Sequence, residues 1–278
     1  MSNNPNIRIQ VLSDLHLEFP SPRWSTRHGP DSYQYQVPAE AEILALLGDI
    51  GVTDDDRLYD WLRVQLQRFK LVFFLAGNHE PYGSSIEQST AKLSEFADKC
   101  ALSAEQHGSG QPSGRFVFLN RTRYDLSDSV TVLGCTLWSG LDPARKFSIR
   151  LGLTDFSQIA QFTPRVYQSL HAQDLSWLER SISDIAASEP HRRIIVMTHH
   201  APTVAGTSNP RYAGSPISSA FATELVGGLC WVEQVKVWAF GHTHWACDFE
   251  REGVRVVSNP KGYRDGGKSF KPDFVVEI

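Results

Sequence analysis

The sequence predicts an α/β fold, with helices layered around two sheets. Two observations carry this. Strand and helix candidates alternate in both halves of the chain. Several short apolar runs also stop abruptly at Asp, Asn, Gly or His, at the strand ends where a sheet fold gathers distant side chains. No composition break or linker divides residues 1–278, so a single domain is expected.

Taken in order, Ile7 to Leu12 is a β-prone run ending at Ser13-Asp14. Phe19 to Pro38 lacks periodicity and reads as a surface loop. Ile43 to Leu47 is a second strand, ending at Gly48-Asp49. Asp54-Asp55-Asp56 then precedes Leu58, Trp61, Leu62, Leu66 and Phe69 at helical spacing. Acidic residues there cap the helix and suit its dipole, a stronger reading than a metal site. Leu71 to Leu75 is apolar throughout, as a strand buried on both faces should be. It ends at Ala76-Gly77-Asn78-His79-Glu80.

A helix is expected over Ser85 to Cys100, with Ile86, Leu93 and Phe96 inward. His107 to Gly114 reads as a loop. Strands over Phe116 to Leu119 and Val130 to Thr136 follow, separated by a turn. Trp138 to Ala172 admits two readings, a partly helical cap beside the site (residues 139–172) or a plain surface excursion. Leu175, Leu178, Ile182 and Ile185 form one stripe of a helix over Asp174 to Ile185. Arg193 to Met197 is a β-branched strand ending at Thr198-His199, followed by a loop over Ala201 to Ser219. A short helix over Phe221 to Val226, a strand over Val235 to Phe240, and closing strands over Val254 to Val257 and Phe274 to Val276 complete the prediction.

Hydrophobic residues make up 41% of 278 and charged residues 21%, enough for a substantial core. The net charge of −4 argues against duplex nucleic acid as a main partner, since such binders carry a basic face. Cys100, Cys135, Cys230 and Cys247 form no CxxC pair, which sets aside a zinc ribbon or a redox motif. Buried reduced thiols in a cytoplasmic protein are expected. The polar N-terminus lacks a signal-peptide pattern. No apolar run approaches the roughly 20 residues a membrane span needs.

The chemistry lies in a series of motifs: Asp14-Leu15-His16, Gly48-Asp49, Gly77-Asn78-His79-Glu80, Thr198-His199-His200 and Gly241-His242-Thr243-His244. Carboxylate, carboxamide and imidazole are the groups that divalent first-row metals bind. Each motif alone is weak; their conjunction, each after an apolar strand candidate, reads as a two-metal hydrolase. Gly48, Gly77 and Gly241 suit tight strand-to-loop turns, where positive φ or close backbone approach is needed. His28, His107, His171 and His191 lie in polar contexts and read as surface residues.

This series resembles the calcineurin-like metallophosphoesterase superfamily, from Leu12 to Tyr263, with Thr136-Leu137-Trp138 and Asn259-Pro260-Lys261-Gly262-Tyr263 as further familial pieces. The resemblance implies a four-layer α/β/β/α sandwich of two mixed sheets flanked by helices. A dinuclear metal site would lie at the strand C-terminal ends. The first metal would take Asp14, His16, Asp49 and His244; the second would take Asp49, Asn78, His199 and His242. His200 is the alternative to His199. His79 would be the general acid. Mixed oxygen and nitrogen ligands suit Mn, Fe or Zn.

The physics of such a site stands beside the resemblance. A shared carboxylate lets two cations approach to roughly 3.5–4 Å, where together they acidify a bound water to hydroxide. That hydroxide would attack phosphorus in line while the cations neutralise the phosphoryl oxygens. His79 cannot easily ligate if its neighbour Asn78 does, and is then free to protonate the leaving oxygen.

Ala76 stands where the phosphoprotein-phosphatase branch has Arg before Gly-Asn-His-Glu. Gly48-Asp49-Ile50-Gly51-Val52 likewise departs from that branch's Gly-Asp-x-Val-Asp-Arg-Gly. The chain looks more like the compact bacterial-type phosphoesterases, so a phosphodiester or small phosphomonoester is the expected substrate. Tyr82 would either stack on the substrate or pack in the core. Lys261 and Arg264 would either meet a phosphate or be solvated. A non-catalytic scaffold is disfavoured because no ligand is missing. A nuclease of the same fold is disfavoured because no basic region is evident. The oligomeric state stays open.

Overall fold

The computed structural model describes residues 7–19, 32–106, 114–263 and 269–278. Strands β1 (Arg8–Leu12), β2 (Ile43–Leu47), β3 (Leu71–Leu75) and β4 (Arg115–Phe118) run parallel. A second sheet contains β5 (Thr122–Ser127), β6 (Val130–Cys135), β7 (Arg193–Thr198), β8 (Val235–Phe240), β9 (Cys247–Arg251) and β10 (Val254–Ser258), in the order β5-β6-β7-β8-β10-β9. Its inner strands β6, β7, β8 and β10 are parallel, with β5 and β9 antiparallel at the edges. The last strand, β11 (Val275–Glu277), returns to the first sheet antiparallel to β1.

Period-2 alternation builds the layers. On β3, Leu71, Phe73 and Leu75 face Ile195, Met197, Val237 and Ala239 of the other sheet, forming the core between the sheets. Val72 and Phe74 point the other way, onto α1 (Asp56–Leu66) and α2 (Ile86–Gln106), through Leu58, Leu62, Leu93 and Phe96. On the second sheet, Ile194, Val196 and Trp238 meet Leu178, Ile182 and Ile185 of the longest helix, α5 (Pro164–Ser188). The result is the expected α/β/β/α sandwich of two mixed sheets. Among the described residues, no helix is long and apolar enough to cross a membrane.

Local chemistry sets the helix starts. Asp55 caps α1 by accepting from the Arg57 amide, and Asp54 pairs with Lys92. Two members of the acidic triplet thus have structural partners. Thr163 caps α5, with Pro164 in its first turn, where a missing N–H costs nothing.

Several boundaries differ from the sequence reading. Helix α2 runs on to Gln106, and α5 begins at Pro164 rather than near Asp174. The turn expected before Val130 contains β5, and β9 was not foreseen. Both are half-exposed edge strands, so they lack the apolar signature of the inner ones. No helix forms over Phe221 to Val226. There the Thr223 amide donates to the Ala201 carbonyl, and Ala222 bridges Ala201, which holds the segment extended. Trp138 to Ala172 is partly helical, with α3 (Lys146–Gly152), α4 (Asp155–Gln158) and the start of α5. Its Ile149, Ile159 and Phe162 pack with Tyr82 and Trp138 in a small core beside the strand ends.

His191 is exposed as expected, but His171 is buried, its ring held by the Leu137 carbonyl at 3.0 Å. All four cysteines are free; Cys135 and Cys230 are buried, and Cys100 and Cys247 are half-buried. The predicted loop stretches 20–31 and 107–113, with His28, His107 and Arg264, lie outside the described residues.

Candidate metal centre

The loops at the C-terminal ends of β1, β2, β3, β7 and β8 carry the predicted residues into one place. They do so through unusual backbone. Asp14, His16, Asp49, His242 and His244 have φ of 52°, 46°, 54°, 67° and 49°. Non-glycine residues seldom adopt this left-handed region and keep it where the surroundings over-determine it, commonly at functional sites. The surroundings here are extended pairings past the strand ends. The Asp14 amide donates to the Gly48 carbonyl, the His16 amide to the Asp49 carbonyl, and the Gly241 amide to the His199 carbonyl, each at 2.9 Å. Gly77 is required by proximity rather than by φ: a Cβ there would come 2.6 Å from the His199 ring.

Three overlapping sets of ligand atoms result, each within 4.8 Å: Asp14, His16 and His244; His16, Asp49 and His79; Asp49, His199 and His242. His16 Nε2 lies 3.1 Å from His244 Nε2, and His244 Nε2 lies 3.3 Å from Asp14. On the other side, His199 Nε2 lies 3.4 Å from Asp49 and 3.1 Å from Asn78 Oδ1. Asp49 stands between the two groups, as a bridging carboxylate would. His79 also falls within reach of Asp49, but its backbone amide already donates to Asp49 Oδ1 at 2.8 Å.

Outer partners fix the rings, as they do around metal sites. His199 Nδ1 donates to the Leu47 carbonyl at 2.8 Å, so Nε2 is the nitrogen that faces Asp49 and would ligate once its proton is displaced. His16 Nδ1 donates to Glu18 Oε1 at 3.2 Å, leaving its Nε2 toward His244. His242 Nε2 meets the Ala220 carbonyl at 3.3 Å, so Nδ1 keeps the lone pair. Asn78 is aimed by its amide, which donates to Asp155 Oδ1 at 2.7 Å. Glu80 accepts from the Gly77, Asp49 and Ile50 amides, tying the two loops together. This donor set fits two divalent cations: buried oxygen and nitrogen ligands, lone pairs converging, and a central carboxylate.

Electrostatics agrees. Burial alone would raise Asp49, yet His199 and His79 hold it well below the usual carboxylate range. Burial likewise opposes charge on His79, but Asp49 and Glu18 lift it to about 9. Glu18 is itself held down at about 2, because hydrogen bonds from His16 and His79 outweigh its desolvation.

His200, the alternative ligand, turns away. Its Nε2 meets the Tyr167 hydroxyl at 3.2 Å, and it belongs to none of the three sets. Tyr82 is buried, stacked on His79 at 4.2 Å between centroids, with its hydroxyl donating to Asp155 at 2.6 Å. It therefore packs against the catalytic candidate instead of facing solvent. Lys261 sits near the Tyr35 ring at 5.9 Å. The sequence reading missed Glu18, Asp155 and Tyr263. Tyr263 stacks on His16, and its hydroxyl oxygen accepts from His79 Nε2 at 3.2 Å. Glu18 left a sequence signal, two residues beyond His16 in the same alternating run, and Tyr263 ends the Asn259-Pro260-Lys261-Gly262-Tyr263 piece, though neither was given a role.

The sequence pattern of the calcineurin-like phosphoesterases matches residues 7–246. The chain is 24% identical to "Uncharacterized protein L509" of Acanthamoeba polyphaga mimivirus over 288 residues, covering 97% of this chain and 96% of that one. The solved structure of phosphopantetheinyl hydrolase from Mycobacterium tuberculosis is similar, with a TM-score of 0.65 and 13% identity, over 98% of this chain and 96% of that one. At that identity the likeness concerns the fold.

Proposed function

This chain belongs to the calcineurin-like phosphoesterase family, and from that premise we propose that it hydrolyses a phosphodiester or small phosphomonoester with two bound divalent metal ions. The observation that carries the reading is the position of Asp49, between the Asp14–His16–His244 and His199–His242 groups, with His79 beside it. Asp14, His16, Asp49 and His244 would hold one cation, and Asp49, Asn78, His199 and His242 the other. Mn, Fe or Zn would serve with these ligands. Such cations supply Lewis acidity, activating water and neutralising phosphoryl charge.

The chain's own residues do the rest. Glu18 fixes the His79 ring through Nδ1, which leaves Nε2 to hold a proton toward the leaving oxygen. Stacking on Tyr82 keeps that ring from swinging. His79 is a cation at neutral pH in the metal-free protein, the form a general acid needs. Four free cysteines suit a reducing compartment, and we place the enzyme in the cytoplasm, acting on a small-molecule substrate.

The test is hydrolysis of bis-p-nitrophenyl phosphate against p-nitrophenyl phosphate. The protein would be stripped of metal, then resupplied with Mn²⁺, with Asp49→Ala as the control. Metal-dependent turnover that Asp49→Ala abolishes supports the reading, and the faster ester decides between diesterase and phosphatase. Two bound metals with no turnover of either ester would count against it.

A further inference from the structure

A cavity of about 520 Å³ opens directly off Asp49, Asn78, His79 and His242. It runs between the 152–155 segment and the 204–222 loop. Its volume falls within the roughly 300–1,000 Å³ that encloses drug-sized molecules, far more than a phosphate group fills. Leu153, Ile217 and Phe221 give it an apolar wall; Asn209, Arg211 and Ser215 give it a polar one.

Arg211 is the residue that decides the chemistry. It lies on the short 3-10 turn Pro210–Tyr212, its guanidinium over the Tyr212 ring at 4.5 Å and donating to the Tyr212 hydroxyl. Among the described residues no carboxylate pairs with it. The carboxylates that line the cavity are already engaged: Asp49 by the His79 amide, Asp155 by Asn78 and Tyr82. A stacked guanidinium with no carboxylate partner among the described residues, in a cavity beside the candidate metal centre, is a site for an oxyanion. The reacting phosphoryl group would have its own charge partners in the cations that Asp14, His16, Asp49, His199, His242 and His244 would hold.

Taking the phosphoesterase reading as given, we infer that this cavity holds the alcohol portion of the ester. The substrate is a phosphoester of a bulky, partly apolar alcohol that carries a second anionic group, and Arg211 binds that group. Arg211 is thus a specificity residue for a substrate with two separated anionic ends.

The experiment compares three esters by release of the aryl alcohol: phenyl phosphate, 2-naphthyl phosphate and 6-carboxy-2-naphthyl phosphate. Their methyl diesters replace them if diesters prove the better class. Burying the second ring should raise kcat/KM roughly tenfold. The carboxylate should add roughly another tenfold through KM. Arg211→Gln should erase the carboxylate gain and leave the other two esters unchanged. Ile217→Asp should erase the gain from the second ring. Equal rates for the two naphthyl esters in the wild type would overturn the inference. So would an equal loss on all three esters in Arg211→Gln, which would put the guanidinium on the reacting phosphoryl group. If no ester turns over, calorimetry with 2-naphthylphosphonate and its 6-carboxy analogue makes the same comparison. Failure of the hydrolase reading and failure of the cavity assignment are then separate results.

Discussion

Glu18 Oε1 lies 3.3 Å from His79 Nδ1 and 3.2 Å from His16 Nδ1, so one buried carboxylate oxygen orients both the proposed general acid and a proposed metal ligand. Removing it should therefore act on two functions together. Glu18→Ala is expected to lower metal affinity and activity roughly 10–100-fold, the usual cost of losing such a partner. Glu18→Gln keeps an acceptor oxygen and should lose less. Metal content and kcat, measured on the same preparations, check this. Full activity in Glu18→Ala would show that neither ring needs the carboxylate.

The role of His79 separates from metal binding. His79→Asn should keep both metals and lose about 10²–10⁴-fold in turnover on esters with poor leaving groups. An activated nitrophenyl ester needs little help from an acid and should lose much less. Equal loss on alkyl and nitrophenyl esters would count against the assignment. If Glu18 acts on the chemistry mainly through His79, the double variant Glu18→Ala/His79→Asn will lose less than the product of the single losses.

Asp155 reaches Asn78 from α4, 77 residues away in sequence. Its hydrogen bond fixes which way the carboxamide faces, so that Oδ1 meets His199 Nε2. Asp155→Ala frees the carboxamide to rotate. Affinity for the metal on the His199 side should fall roughly 10–100-fold, with little change at the His16–His244 side. Titrating the stripped variant with Mn²⁺ and following the two binding steps tests this. Equal weakening at both would mean that Asp155 supports the whole site.

How legible these features were in the sequence depended on their range. The inner strands were legible because burial on both faces makes them apolar runs, as at Leu71–Leu75. The proposed ligands were legible because each ends such a run. Strands β5 and β9 were not, because a half-exposed edge strand has no apolar run to show. The helix expected over Phe221 to Val226 failed because its apolar residues serve tertiary contacts instead: Phe221 stacks on His242. Asp155 was invisible because nothing local marks a carboxylate whose partner is an amide on another loop. His171 was misplaced for a similar reason. Ser169 and Gln173 beside it on α5 face solvent while it faces the Leu137 carbonyl.

We propose His199 rather than His200 as the ligand because of where each ring's outer partner sits. The Leu47 carbonyl turns His199 Nε2 toward Asp49, whereas Tyr167 engages His200 Nε2. His199→Ala should reduce bound metal from two per chain to about one or fewer, since both Asp49 and Asn78 lose a co-ligand. His200→Ala should keep two metals and lower the melting temperature, because a buried hydroxyl loses one partner, at a cost of about 1–3 kcal/mol. Metal analysis of both variants settles the pair, and loss of metal in His200→Ala alone would reverse the assignment.

The histidines also predict how the metal-free protein responds to alkali. Burial opposes charge on His79 and His199, but Asp49 above all lifts them, to about 9 and about 10. An unfolded histidine titrates near 6.5, so the folded chain binds these protons more tightly than the unfolded one. The stabilisation is complete below about pH 6.5 and is lost as pH rises through 9 to 10. His242 works the other way: burial first, then His199, hold it at about 3, so its contribution is lost as pH falls below about 6.5. The melting temperature of the chelated protein should therefore drop steadily between pH 7 and pH 10. A metal held by His199 would bind its neutral imidazole and take over the role of the proton, so saturating Mn²⁺ should flatten that drop. A melting temperature independent of pH in the chelated protein would mean that Asp49 does not hold these protons. In that case the close approach of His199 to Asp49 would need the metal already present.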